Sequence, residues 1–454
     1  MANSHNDMFQ NILEGNKFDP APGLSNEEIL KRAQAIKDGD RTDLRNTQVA
    51  YEGEAVEARQ NWLQKKKPYV YEKMMQYPEK LARGEGIPII QFQYDYACNF
   101  DCEHCSIDKF YVPRSWEKAS GRRKFELEDV RRLSKEADEY GLGNFVITGG
   151  EPLMLKEYDQ LVEAIDPDKF FIACDSNGWL LDHERAKHIK SIGVDKMQLS
   201  LDGVDAQSHD TFRRAPGSWE RVMRAIDACK EADLHVILST VIWKDRIYTD
   251  EWKKFLDWAK ETEIGTYVVF AKPVGAFENV TDQMMTEKEN KILEQFEKEY
   301  DIFTHMSPSY GRDIGCIAVK RMVSMSRYGD LMPCPYQHVS LGNFFEEPLA
   351  DILDRSLNIK WFDPMKNMPC ICGVDKGFIE NVISETYGDS EVPVRYDKIF
   401  TTDDFLDKNN IGTVNPDSGD GHEVQTWVEA PLITLKGKKV KKFDPIEEAT
   451  KGGT

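Results

Sequence analysis

Residues 89–105 read Ile-Ile-Gln-Phe-Gln-Tyr-Asp-Tyr-Ala-Cys-Asn-Phe-Asp-Cys-Glu-His-Cys. A short apolar and aromatic run, Ile89 to Tyr94, begins just after Pro88 and leads directly into three cysteines spaced C-x-x-x-C-x-x-C. Runs of this length and composition predict a β-strand. Five more follow: Phe145 to Thr148, Phe170 to Cys174, Met197 to Leu201, Val236 to Val241 and Tyr267 to Phe270. Between most of them lie amphipathic helical patterns, such as Leu127 to Tyr140, His183 to Ser191, Trp219 to Glu231 and Asp250 to Glu261. Short strands alternating with helices mean βαβ units and a parallel sheet. Six strands predict an α/β fold built on a partial (β/α)6 barrel. In such sheets the chemistry sits in the loops at the C-terminal strand ends, which is where this chain carries its unusual residues.

The surrounding composition narrows the class. The chain has 454 residues, 40% of them hydrophobic and 11% aromatic, enough for a sizeable core. Its formal net charge of −20 argues against a nucleic-acid binder, which needs a basic face for phosphates, and against an anionic membrane surface. No stretch approaches the roughly 18 apolar residues of a membrane helix, and residues 1–18 show no secretory signal pattern. A cytoplasmic protein with no membrane partner is expected. Its nine cysteines are then thiols, metal ligands or catalytic groups rather than disulfides.

Four regions are expected. Residues 1–86 form a helical extension, with a capping box at Ser25 to Glu28 opening one helix and a second pattern over about Ala55 to Leu81, broken or kinked at Pro68 and Pro78. Residues 87–304 form the barrel. Residues 305–392 form a small cysteine-containing domain, and 393–454 a polar tail. In that tail only Thr426 to Val428 and Leu432 to Leu435 suggest a hairpin, and five lysines between Lys436 and Lys442 make a basic run.

Cys98, Cys102 and Cys105 can hold three corners of a cubane iron–sulfur cluster from one loop, leaving one iron open to a small molecule. Zinc is the alternative, but a structural site needs four ligands. The triplet resembles the signature of the radical S-adenosylmethionine (SAM) superfamily, with His104 where an aromatic commonly precedes the last cysteine. The resemblance implies a 4Fe–4S cluster whose open iron is chelated by SAM, cleaved by one electron to a 5′-deoxyadenosyl radical. A flavodoxin or ferredoxin is the implied kind of electron donor. Thr148-Gly149-Gly150-Glu151-Pro152, after the second strand, resembles the GGEP motif that contacts the SAM amino group. Asp175-Ser176-Asn177-Gly178 resembles the turn after strand three. By the same resemblance Ser200, in Ser200-Leu201-Asp202-Gly203, lies near the ribose, Asp202 is a further cofactor-site residue, and Arg213 pairs with the SAM carboxylate. A surface ion pair is the plainer reading of Arg213 and Arg214. Cys174 and Cys229 read as small buried core residues.

Cys316, Cys334, Cys370 and Cys372 make a second group. Gly329 to Cys334 and the pair Cys370-Ile371-Cys372 resemble the auxiliary-cluster domains called SPASM and Twitch. That implies a second cluster on all four, or one free thiol beside the site. A zinc site is the silent alternative. Three functions follow. The first is modification of a ribosomally made precursor peptide, with L-to-D epimerisation at Cα favoured and Cys372, then Cys370, as the thiol returning hydrogen. The second is dehydrogenation of a sugar or cyclitol alcohol. The third is a non-catalytic iron–sulfur or zinc protein.

Overall fold

The computed structural model describes residues 61–111, 121–305, 315–364, 370–388 and 391–407. The helix expected from Ser25, the C-terminal hairpin and the lysine run lie outside them.

The six runs are strands β1 (Ile89–Asp95), β2 (Asn144–Gly149), β3 (Phe171–Ser176), β4 (Lys196–Ser200), β5 (His235–Ile242) and β6 (Thr266–Phe270). They pair in sequence order and every pair is parallel. The helices Leu127–Glu139, His183–Ser191, Ser218–Glu231 and Asp250–Glu261 fill the crossovers. Their starts are set by side chains: Asp182 accepts the Arg185 N–H at 2.8 Å and Thr249 the Trp252 N–H at 3.1 Å, satisfying donors with no partner inside the helix.

Strand side chains alternate between two faces. Ile90, Phe92, Phe145, Ile147, Ile172, Met197, Leu199, Leu238 and Val268 are buried in the core. Gln91, Thr148, Asp175, Gln198, Ser200, Ser239 and Tyr267 face an internal cavity. The barrel is therefore apolar in its wall and polar in its lumen. Cys174 and Cys229 are fully buried in that wall.

The sheet does not end with the six strands. β7 (Ile302–Phe303) extends it beyond β6. On the other side β8 (Met322–Met325) pairs parallel with β1, and β9 (Leu331–Met332) turns back antiparallel on β8. Gln93 Nε2 donates to Ser324 Oγ at 2.9 Å across this seam. The β8–β9 hairpin, which lies between Cys316 and Cys334, thus continues the barrel sheet beside the strand carrying the cysteine triplet. Its turn needs Gly329, at φ +86°.

Pro68 begins the helix Pro68–Met75 at a position where the missing N–H costs nothing; Tyr77–Ala82 follows. Leu63, Val70, Met74, Tyr77, Leu81 and Ile87 bury together, with Phe171 against them. The Tyr77 hydroxyl accepts the Gly143 N–H at 2.6 Å, and Lys67 pairs with Asp195 at 2.5 Å. Gly143, Phe171 and Asp195 stand at the N-terminal ends of β2, β3 and β4. The described part of the extension therefore closes the floor of the barrel, at the end opposite the cysteine loop.

Candidate active site

The cavity has a volume of about 500 Å³ and opens at the C-terminal strand ends. Its lining includes Cys98, Cys102 and Cys105, together with Gly149, Gly150, Glu151, Ser176, Asn177, Ser200 and Arg213. Pro152 and Asp202 stand behind this wall. Enclosure pushes the Cys98 thiol up to about 11 and the Cys105 thiol to about 12. The Phe100 N–H, 3.5 Å from the Cys98 sulfur, and the Ile107 N–H at Cys105 pull the other way.

The two glycines approach backbone rather than open space. A Cβ on Gly149 would lie 2.2 Å from the Asp95 carbonyl oxygen, and one on Gly150 would lie 2.1 Å from that of Ala97. Gly150 N–H donates to Asp95 O at 2.9 Å and Glu151 N–H to Ala97 O at 2.8 Å. The end of β2 is thereby stapled to the start of the cysteine loop. On its other side the loop is held by Asn177 Nδ2, donating to Asn99 Oδ1 at 2.9 Å, and by Ala276 N–H, donating to Cys105 O at 2.9 Å.

Glu151 is 2% exposed. Its Oε1 accepts from Ser176 Oγ at 2.8 Å and Leu153 N–H at 3.0 Å, and its Oε2 from Asn177 N–H at 2.8 Å. No cation pairs with it among the described residues. Burial raises its carboxyl above the usual value, and those three bonds only partly oppose the rise. An ammonium group in the cavity would complete this site.

Arg213 is not on the surface. Its Nε donates to Asp202 Oδ2 at 2.6 Å, its Nη2 lies 2.5 Å from the same oxygen, and its Nη1 donates to Cys102 Sγ at 3.8 Å. Asp202 also accepts the Val241 N–H at 2.7 Å. Burial alone would raise the Asp202 carboxyl, but Arg213 and the neighbouring cationic groups hold it well below the usual range. Arg214 is the surface pair, 2.8 Å from Glu103. His104 stacks on Phe212, with centroids 4.4 Å apart, and Phe212 on Trp243 at 5.3 Å. Burial pushes the His104 imidazole down to about 3, so it is neutral.

The second cysteine group is drawn into pairwise contacts. Cys316, Cys334, Cys370 and Cys372 are all buried. The Cys370 and Cys372 sulfurs are 3.8 Å apart, and Cys372 bonds Cys334 as well. The N–H groups of Ala318 and Ile371 hydrogen-bond the Cys316 sulfur, which lies within electrostatic reach of Cys370. Tyr336, two residues after Cys334, lines the cavity and couples electrostatically to Cys334, Cys370 and Cys372 and to Asp175 across the lumen. The group therefore sits just behind one wall of the cavity. Lys272 and Tyr336 were not singled out from sequence, and Asp175 was read only as part of the turn after strand three; the polar face of the strands was the available signal for its place in the lumen.

A parallel half-barrel with a cysteine triplet above its first strand, and a buried carboxylate in the strand-two loop, offers the donor set for an iron–sulfur cluster beside a bound ammonium. Residues 95–259 match the Radical SAM superfamily model, so the chain carries a radical SAM domain. AdoMet-dependent heme synthase of Nitratidesulfovibrio vulgaris is 23% identical over 63% of this chain and 83% of its own length. The enzyme of the same name from Methanosarcina barkeri is 22% identical over 65% and 90%. Among solved structures, Streptococcus suis SuiB bound to its precursor peptide SuiA aligns at a TM-score of 0.48 and 15% identity, over 77% of this chain and 76% of that one.

The family uses a 4Fe–4S cluster and SAM, and the residues fit them. Three thiols, a cation beside Cys102 and an unpaired buried carboxylate surround one cavity.

Proposed function

We propose that this radical SAM enzyme oxidises a polar small molecule, with a second iron–sulfur cluster held by Cys316, Cys334, Cys370 and Cys372. What supports the reading is the pairwise contact of buried thiols behind the cavity wall, Cys370 with Cys372 and Cys372 with Cys334, with Cys316 in electrostatic reach of Cys370. Bound at Cys98, Cys102 and Cys105, cluster and SAM supply a 5′-deoxyadenosyl radical when reduced, with a flavodoxin or ferredoxin as the proposed donor. Glu151 then holds the SAM ammonium, Ser200 stands near the ribose, and Arg213 keeps its charge beside Cys102. A second cluster would supply an acceptor for the electron left on the substrate after hydrogen abstraction, with the substrate's hydroxyl proton passing to water.

The lumen offers hydrogen-bonding groups from Gln91, Thr148, Gln198, Ser200, Ser239 and Tyr267, which suits a polar substrate of the size such cavities take. The two relatives given above, matching over 320 and 323 residues, are named for making heme, a small molecule.

Epimerisation of a precursor peptide is the second reading. What favours it is the protonated state of Cys370 and Cys372. Their mutual contact, with burial, pushes Cys370 up to about 12, and the bond to Cys334 raises Cys372 well above the usual thiol value. A hydrogen donor must keep its S–H. Iron content and isotope uptake separate the two. In the first reading, changing all four cysteines to Ala removes one cluster's worth of iron while SAM cleavage persists. In the second, Cys372→Ala keeps its iron, and wild-type turnover in heavy water places one deuterium in each product. Full iron in the four-cysteine variant refutes the first reading.

A further inference from the structure

Lys272, two residues beyond β6, is 4% exposed. Its stem lies in the cavity wall. Its Nζ is shielded from solvent and has no hydrogen-bond partner among the described residues. The ammonium sits 4.8 Å from the Phe270 ring centroid and 5.7 Å from that of Tyr336. Those rings stabilise a cation weakly; they do not replace the water it has lost.

Its direction is given by Gly373. A Cβ built there would lie 3.0 Å from Lys272 Nζ and 3.2 Å from Cys370 Sγ. The ammonium and the thiol therefore flank the same glycine, and any larger side chain would come between them. Lys272 pulls the thiols of both Cys370 and Cys372 downward, against the effects that raise them. His305, on the same Phe270 ring, is a second such group: it is 7% exposed, its Nε2 has no partner among the described residues, and it acts on Cys370.

A buried ammonium facing the Cys370 and Cys372 thiols is a poor arrangement. Facing four thiolates around an iron–sulfur core it is a good one, because that assembly is net anionic and becomes more so on reduction. We infer that Lys272 is the charge partner of the second cluster, raising its reduction potential and so making it a better electron acceptor. This rests on the four-cysteine reading above. Charge and hydrogen bonding around the sulfurs are the levers by which a protein sets such potentials.

The test uses the full chain with Cys98, Cys102 and Cys105 changed to Ala, so that only the second cluster remains. Its potential is read by EPR-monitored redox titration. Lys272→Met should keep the iron of its parent and shift the one-electron reduction equilibrium at least tenfold toward the oxidised form, a fall of about 59 mV. Lys272→Arg should stay close to the parent. An iron-replete Lys272→Met protein with unchanged potential overturns the inference. Should that variant lose iron, pulsed EPR on the parent labelled with 15N-lysine decides: a lysine nitrogen coupled to the reduced cluster supports the assignment, and none overturns it. If changing Cys316, Cys334, Cys370 and Cys372 to Ala leaves the iron content intact, the four-cysteine reading fails whatever Lys272 does.

Discussion

Glu151→Gln separates two jobs that one carboxylate performs. In the wild type both oxygens accept, from Ser176 Oγ and Leu153 N–H on one side and from Asn177 N–H on the other. A glutamine amide must turn its NH2 group to one of those sides. Either way one buried backbone N–H, of Leu153 or of Asn177, faces a donor. An unsatisfied buried donor costs about 1–3 kcal/mol. Removing the buried charge offsets part of this, so the apo protein should lose less than about 3 kcal/mol. SAM binding loses separately, because its ammonium gives up a charge-assisted bond worth about 1.5–3 kcal/mol. That predicts affinity weaker by roughly tenfold to a hundredfold. Anaerobic calorimetric titration of SAM into the cluster-reconstituted variant reads the affinity, and denaturant unfolding of the apo protein reads the stability. An unchanged SAM affinity in a folded, iron-loaded Glu151→Gln protein would refute the placement of the ammonium at Glu151.

Changing Cys98, Cys102 and Cys105 together to Ala should abolish 5′-deoxyadenosine release while circular dichroism shows an intact barrel, since the thiols lie beyond the strand. Asp202→Asn strands the Arg213 guanidinium in a buried site, and breaking one side of such a pair costs about 3–5 kcal/mol; a loss under 1 kcal/mol in denaturant unfolding would show that water solvates Arg213. Burial raises Asp175 to about 7, against the opposing pull of Lys196 and Thr148. The folded state therefore holds that proton more tightly than the unfolded chain, and its contribution to stability is lost as pH rises through about 7. Asp175→Asn should accordingly melt higher than wild type at pH 8, with the gap closing toward pH 5; equal gaps at both would show that Asp175 does not titrate there. Gly150→Ala should impair the cysteine loop, because its Cβ would overlap the Ala97 carbonyl; wild-type iron uptake and melting temperature would contradict the staple.

The barrel was legible because each of its strands is a contiguous run with helices of matching length between. His183–Ser191 and Asp250–Glu261 fall where their periodicity put them. The cysteine triplet and the loop at Gly149 to Pro152 were legible for the same reason: their residues are neighbours in sequence. The role of Gly149 and Gly150 was not, since the atoms they approach belong to Asp95 and Ala97, some fifty residues earlier. Arg213 read equally well as a surface group, because nothing near it in sequence shows that it packs against Asp202 and Cys102. The second cysteine group was countable but not assemblable, and Lys272 carries no local mark at all. The seam between β1 and β8 was invisible because parallel pairing leaves no signature in either four-residue stretch.

That seam has a consequence for the making of the protein. Gln93 and Ser324, bonded across it, are 231 residues apart in the chain. During synthesis β1 gains β2 early, but its other edge stays bare until β8 has left the ribosome. A bare parallel edge invites pairing with other chains, and contacts so distant in sequence form slowly. The strand that presents the cysteine triplet is thus among the last to be flanked on both sides. Nascent chains that end before residue 322 carry that edge bare, which exposes them to aggregation.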